Sequence, residues 1–431
     1  MTIYARPLDR SFWTDEFLSR TSVGTAPFLF KNVIPAAAAR PDDVLAGFAA
    51  IRRTHVAGTD IAAHARVYVG EDRRDDLLPG VLSAPGWDEG GFVQWLQTLT
   101  VAERFSLVIN NLETVSPRLA AGLGAFLASL LDGWGVPLGG AELVAFVGNY
   151  AGTAFGVHEG FEDAFLVHLG PNPKNFYTWS AEAFEKLTGS KNPLYGDYSW
   201  LLEHGEHFVL EAGDILFLPR RVFHVGTQDE FSVSVAVPLY TYPDAGLLRE
   251  VLFPELFASL LADRGPDHEL SHPSPMAALA AGSGPVAQRL TDLARPTLAT
   301  ALEGLAAAVE QHASQRWNTI LSNGGWELVD GDLARSEAAA AFNVEEVVPG
   351  ASVSVIEPYR MLVSGQRIFL RGYEIAIDAS VLPPKVAADL SAGTSITLPE
   401  DENVLAAIRA LGATGGLHVT TRSIHMKDIA A

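Results

Sequence analysis

The chain contains no cysteine. This excludes disulfides, thiolate zinc sites, iron-sulfur clusters and a cysteine nucleophile, and leaves histidine and oxygen donors for any metal. No apolar run approaches membrane-spanning length, and the opening stretch MTIYARPLDRSFWTDEF lacks the basic-then-apolar order of a secretory leader. A cytoplasmic protein with no membrane partner is expected. Basic residues are scarce: 30 Lys and Arg stand against 51 Asp and Glu, a formal charge of -21. That balance argues against a nucleic-acid partner, whose phosphates need clustered cations, and suits a cationic peptide or small amine better. The sequence also lacks a Gly-x-Gly-x-x-Gly fingerprint, a phosphate loop and a Gly-x-Ser-x-Gly elbow, so nucleotide and serine-hydrolase chemistry have no support.

What is present is folding material. With 431 residues and 48% apolar side chains, the chain can form two or three domains with a core large enough to exclude water from a site. SPRLAAGLGAFLASLLDGWG predicts a helix: Ser116 precedes Pro117 at the first helical position, and Leu119, Leu123, Phe126, Leu127, Leu130 and Leu131 share one face. PFLFKNVIP reads as a short strand. From 141 to about 240 the chain is a series of strands, ELVAFVGNY, DAFLVHLG, NFYTW, HFVLEAG, DILFLP and FSVSVAVPLY, separated by Gly, Pro and Asn turns. Such a series predicts a barrel or sandwich. Helical spacing of Leu298, Leu302, Leu305 and Val309 follows, then strands around RIFLRGYEIAI, a helix at LPEDENVLAAIRALGATGG and a last strand LHVTT.

Five of the twelve histidines fall between 158 and 224, inside the strand-rich region. His158 follows a glycine-punctuated strand, and His224 closes LEAGDILFLPRRVFH, in which an acidic-glycine turn, an apolar strand and a proline precede the histidine. The two converge only if their strands are neighbours. His204 and His207 in EHGEHF read as loop histidines rather than a second metal pair.

The segments HEGFEDAFLVHLGPNPK and GDILFLPRRVFH resemble the metal strands of JmjC-type cupin oxygenases, particularly the bacterial and nucleolar ribosomal-protein hydroxylases. The resemblance implies a mainly β core, a double-stranded β-helix, with flanking helices, a helical dimerisation segment and a C-terminal winged-helix-like α/β module. It implies the boundaries 1–245, 246–320 and 321–431 and a homodimer. It further implies Fe(II) held by His158 and His224, 2-oxoglutarate anchored by Lys174, and His168 as a contact for cosubstrate or substrate. The expected activity is oxidation of a C–H bond in a peptide, a protein side chain or an amino-acid-derived metabolite.

The sequence departs from the family at Gly160, where a carboxylate ligand is usual; iron oxygenases ordinarily use two histidines and one carboxylate. Strand alternation puts Gly160, Glu162, Ala164, Leu166 and His168 on the face of His158, and Glu159, Asp163 and Phe165 on the other. Glu162 is either a displaced ligand, if a bulge shortens the roughly 13 Å of rise between them, or a contact for a cationic substrate. Glu159 substitutes only if the chain bends after His158. Otherwise the position is open to water, or to chloride, as in halogenases with a His-x-Gly or His-x-Ala motif. A catalytically inactive cupin that binds a partner is the remaining alternative.

Overall fold

The computed structural model describes residues 8–70, 72–88, 91–152, 155–262, 275–280 and 285–420; the first seven residues of the opening stretch lie outside this set. The chain divides into two compact units, Met1–Thr241 with Asn318–Ala431, and Tyr242–Trp317.

The first unit is built on eleven strands: β1 (Phe28–Phe30), β2 (His64–Val69), β3 (Asp72–Arg73), β4 (Phe105–Asn110), β5 (Val144–Tyr150), β6 (His158–Glu159), β7 (Asp163–Pro171), β8 (Lys174–Trp179), β9 (Glu206–Leu210), β10 (Ile215–Leu218) and β11 (Phe223–Leu239). The main path runs β1-β10-β7-β11-β5-β4-β2-β3, and all its pairings are antiparallel. β11 is the strand that closes the structure. Its first residues, 223–227, pair with β6 and β8, and the rest pairs with β5 and β7. The register shift between Gln228 and Ser232 marks where it passes from one set of partners to the other. This is the double-stranded β-helix of the cupin class.

Alternation along β7 separates two cores. Phe165, Val167 and Leu169 join the large core, in which Phe165 meets Trp13 edge-on at 5.9 Å and Phe126 at 5.6 Å. Leu166 faces the other way, into a smaller cluster with Phe176, Leu210, Leu216 and Leu218. The helix Pro117–Trp134 packs against the large core through the six apolar residues that its spacing predicts, all of them buried. Burying each such side chain contributes about 1.5–3 kcal/mol; the residues flanking the histidines, Val157, Phe223 and Val225, pack in a separate cluster with Trp179, Phe184 and Leu201.

Towards the C-terminus the first unit adds six short strands, β12 (Ser352–Val355), β13 (Met361–Ser364), β14 (Arg367–Leu370), β15 (Tyr373–Ile375), β16 (Ile396–Thr397) and β17 (Leu417–Thr420). They form two three-stranded sheets, β16-β12-β17 and β13-β14-β15, around a core of their own that includes Val353, Met361, Ile368 and Ile408. The helix Glu402–Gly412 starts on Asp401, whose carboxylate accepts from the Asn403 and Val404 amides.

The second unit is helical, with Asp244–Leu247, Phe253–Leu260 and most of the long helix Pro285–Ser322. The predicted spacing at 298–309 falls on that helix, but Leu298, Leu302 and Val309 are exposed.

Candidate active site

His158 on β6 and His224 on β11 are directly opposed across an antiparallel pair, with ring centroids 4.4 Å apart. Each ring is fixed from behind. His158 Nδ1 donates to the Gly156 carbonyl at 3.1 Å and His224 Nδ1 to the Val222 carbonyl at 3.0 Å. A carbonyl can only accept, so both rings are Nδ1–H tautomers and both leave the Nε2 lone pair for a metal. Burial lowers the pKa of His158; burial, then the neighbouring His158, pushes His224 down to about 3. Both imidazoles are therefore neutral at pH 7, as metal ligation requires. Phe176 stacks on His224 at 5.5 Å and Phe155 lies 5.4 Å from His158.

The pair lines a cavity of about 470 Å³ together with Arg66, Phe155, Glu159, Gly160, Phe161, Glu162, Lys174 and Tyr240, a volume usual for small-molecule sites. Lys174, at the start of β8, is 1% exposed. Its ammonium donates to the Tyr150 hydroxyl, and to Gln228 Oε1 at 3.3 Å. Among the described residues it has no carboxylate partner, and burial pushes its pKa down to about 7. A buried ammonium held only by neutral groups is costly, and an anionic ligand would remove the cost.

A Cβ on Gly160 would lie 3.6 Å from His224 Cε1 and 3.5 Å from the Glu162 carbonyl, ordinary contacts. A side chain at residue 160 would therefore start beside His224, with room for it. Among the described residues no three His, Cys, Asp or Glu side chains are gathered into a group that could hold a metal, so neither Glu159 nor Glu162 is grouped with the histidine pair in this structure. The reason is local. β6 ends at Glu159 and β7 begins at Asp163, and the three residues between them are pinned at both ends. Arg221 N donates to the Gly160 carbonyl at 2.9 Å, and Asp163 accepts from Arg220 N and Nη2, each at 2.9 Å. Glu162, at the end of this turn, lines the cavity wall. The turn also breaks the expected alternation, since Glu159 and Phe161 line the cavity too; from Asp163 onward the alternation holds.

His168, expected as a contact for cosubstrate or substrate, is not among the residues that line the cavity. It is fully buried, with Nδ1 at 2.9 Å from Ser234 Oγ and Nε2 at 2.8 Å from the Asn172 carbonyl, so both ring nitrogens are used internally. Burial holds its pKa down at about 4. His204 is in a turn and His207 on β9, stacked on Tyr177 at 4.5 Å and bonded to Asn175 at 2.9 Å. Sequence reading missed Arg66, Tyr150 and Gln228. Tyr150 ends a predicted strand, but nothing local marks any of the three, because strand pairing over long separations assembles them.

A cupin-type double-stranded β-helix with an opposed histidine pair over a cavity defines the class. Residues 145–246 match the JmjC domain. No curated protein sequence matches the chain. Among solved structures, an X-ray structure of YcfD from Escherichia coli is similar at 16% identity, over 97% of this chain and 100% of that one, with a TM-score of 0.50. A structure of YcfD described as a ribosomal oxygenase from Escherichia coli in complex with cobalt and succinic acid matches at 16% identity over 94% and 98%, TM-score 0.49. A third, the same protein with cobalt and 2-oxoglutarate, matches at 16% over 94% and 98%, TM-score 0.47. At such identity the likeness is one of fold.

Proposed function

We propose that the chain is an Fe(II)- and 2-oxoglutarate-dependent oxygenase acting on a C–H bond of a peptide, a protein side chain or an amino-acid-derived metabolite. The observation that carries this reading is the opposed pair His158 and His224, with free Nε2 atoms, in one cavity with a buried ammonium that lacks a carboxylate partner among the described residues. The donor set fits iron: two neutral imidazoles leave positions open for oxygen ligands. Bound there, iron would supply dioxygen activation coupled to decarboxylation of 2-oxoglutarate to succinate. The chain's residues would do the rest. His158 and His224 hold the metal, Lys174 pairs with the distal carboxylate, and Tyr150 and Gln228 fix the ammonium's direction. Phe155 and Phe176 keep water from the histidines. Anaerobic titration with Fe(II) and 2-oxoglutarate tests this: a visible charge-transfer band and later succinate release are expected, and absence of both sinks it.

The geometry at Gly160 favours a second reading, in which chloride or water fills the position opposite the histidines. Mass spectrometry of product formed with and without chloride separates halogenation from hydroxylation. We also propose that residues 246–320 form a dimerisation segment, supported by exposed Leu298 and Leu302 on its long helix, and that 321–431 is a winged-helix-like module that braces the homodimer. Sedimentation velocity of wild type and a Leu298→Glu/Leu302→Glu variant checks this; a monomeric wild type refutes it.

A further inference from the structure

Arg66 is the part of the cavity wall that the oxygenase reading leaves unused. It stands on β2, beside Phe155, with the guanidinium 5.7 Å from that ring's centroid, and Phe155 in turn lies 5.4 Å from His158. Its charge is not neutralised. Among the described residues it makes no ion pair; Nη2 donates to Asn110 Oδ1, and Nε is buried with no partner. The nearest carboxylate along the network, Glu142, is already engaged. It accepts from Asn110 Nδ2 at 3.0 Å, from the Asn111 amide at 2.8 Å and from the Tyr240 hydroxyl. Asn110 thus steers the guanidinium with a neutral oxygen, so the arginine is positioned without a counter-charge. In a chain of net charge -21, an unpaired arginine on a cavity wall is an anion-binding group kept free.

Lys174 already serves the cosubstrate at another part of the cavity, among Phe146, Tyr150 and Gln228. Arg66 and His158 both lie near the Phe155 ring and line the same cavity. The cavity, about 470 Å³, must hold the cosubstrate and the molecule oxidised, which leaves room for a ligand of amino-acid size. Glu159 and Glu162 line the same wall and would receive an ammonium. We infer that Arg66 binds a carboxylate of the primary substrate, which is a small amino-acid-like molecule carrying its own acid group into the cavity. This rests on the oxygenase reading and narrows its substrate class.

The test uses the full chain loaded with Co(II) and 2-oxoglutarate, and hexanoate, L-norleucine and L-phenylalanine as probes, each beside its carboxamide, followed by ligand-observed NMR. The acids are expected to bind and the amides to bind much more weakly. Arg66→Met should weaken acid binding by about 30-fold or more while 2-oxoglutarate affinity is unaltered, and Arg66→Lys should retain part of the preference because it keeps charge but loses the fork. Equal binding of acids and amides, no binding of any acid, or an unchanged preference in Arg66→Met overturns the inference. Binding of N-acetyl-aspartate amide without any free amino acid would place the carboxylate on a peptide and overturn the small-molecule assignment. If cobalt and 2-oxoglutarate fail to load but the acids still bind through Arg66, the carboxylate site stands and the oxygenase reading falls.

Discussion

At the scale of the residue, Lys174 and Gly160 carry the sharpest expectations. Lys174 loses its proton in the fold at about 7 against 10.5 for the free side chain. The unfolded chain therefore holds more protons between those values, so the burial penalty is complete below pH 7 and fades as pH rises to the unfolded pKa. An anionic cosubstrate reverses the preference and draws a proton in. Affinity for 2-oxoglutarate should thus fall as pH rises above about 7, with proton uptake visible by calorimetry in two buffers of different ionisation heat. Lys174→Met should weaken 2-oxoglutarate binding about 30-fold or more yet raise the melting temperature of the ligand-free protein at pH 6; a lower melting temperature would show that the ammonium is not a burden. At Gly160 the space beside His224 accepts a side chain, so Gly160→Asp should tighten binding of Mn(II) or Co(II) in a direct titration. Unchanged affinity would mean that residue 160 does not face the metal position.

At the scale of the element, β11 decides the site. One strand carries His224 in the cavity wall and Gly226 and Gln228 against Lys174 before the bulge hands it to its second set of partners. A Cβ on Gly226 would come within 2.9 Å of Lys174 Cε and 3.0 Å of the Phe176 ring, so glycine is what lets the lysine lie flat against the strand. Gly226→Ala should cost about 1–3 kcal/mol in chemical denaturation through overpacking and impair 2-oxoglutarate binding, whereas metal binding at His158 and His224 persists. Loss of both together would indicate collapse of the strand instead. The strands themselves were legible in the sequence, since DAFLVHLG and DILFLP alternate or run apolar between turn residues. The turn at 160–162 was not. Its path is set by Arg220 and Arg221 reaching across from another segment, and local alternation cannot register a tether of that kind.

At the scale of the whole molecule, one buried carboxyl ties stability to pH. Glu113 accepts from the Leu143 amide at 2.8 Å, while its other oxygen is buried without a partner. Burial first, and the charge of Glu142, push its pKa up to about 8. The folded chain holds this proton where the unfolded chain has released it, so the stabilisation is complete below about 4.5 and is lost as pH rises through 8. Between pH 5 and 8 the wild-type melting temperature should fall relative to that of Glu113→Gln, by a few degrees for each kcal/mol; parallel curves for the two proteins would refute this.

By itself the sequence determined the kind of site this protein can have. Without cysteine, any metal has only histidine and oxygen donors to rest on, and it was the resemblance of the segments around His158 and His224 to JmjC metal strands that pointed to those two. Tertiary structure decided what surrounds them. The register that sets His224 opposite His158, the burial of Lys174 with no carboxylate partner among the described residues, the internal pairing of His168 and the arrival of Arg66 on the wall all depend on strands that meet only in the folded barrel. Backbone pairing between distant segments leaves no periodic trace in either of them.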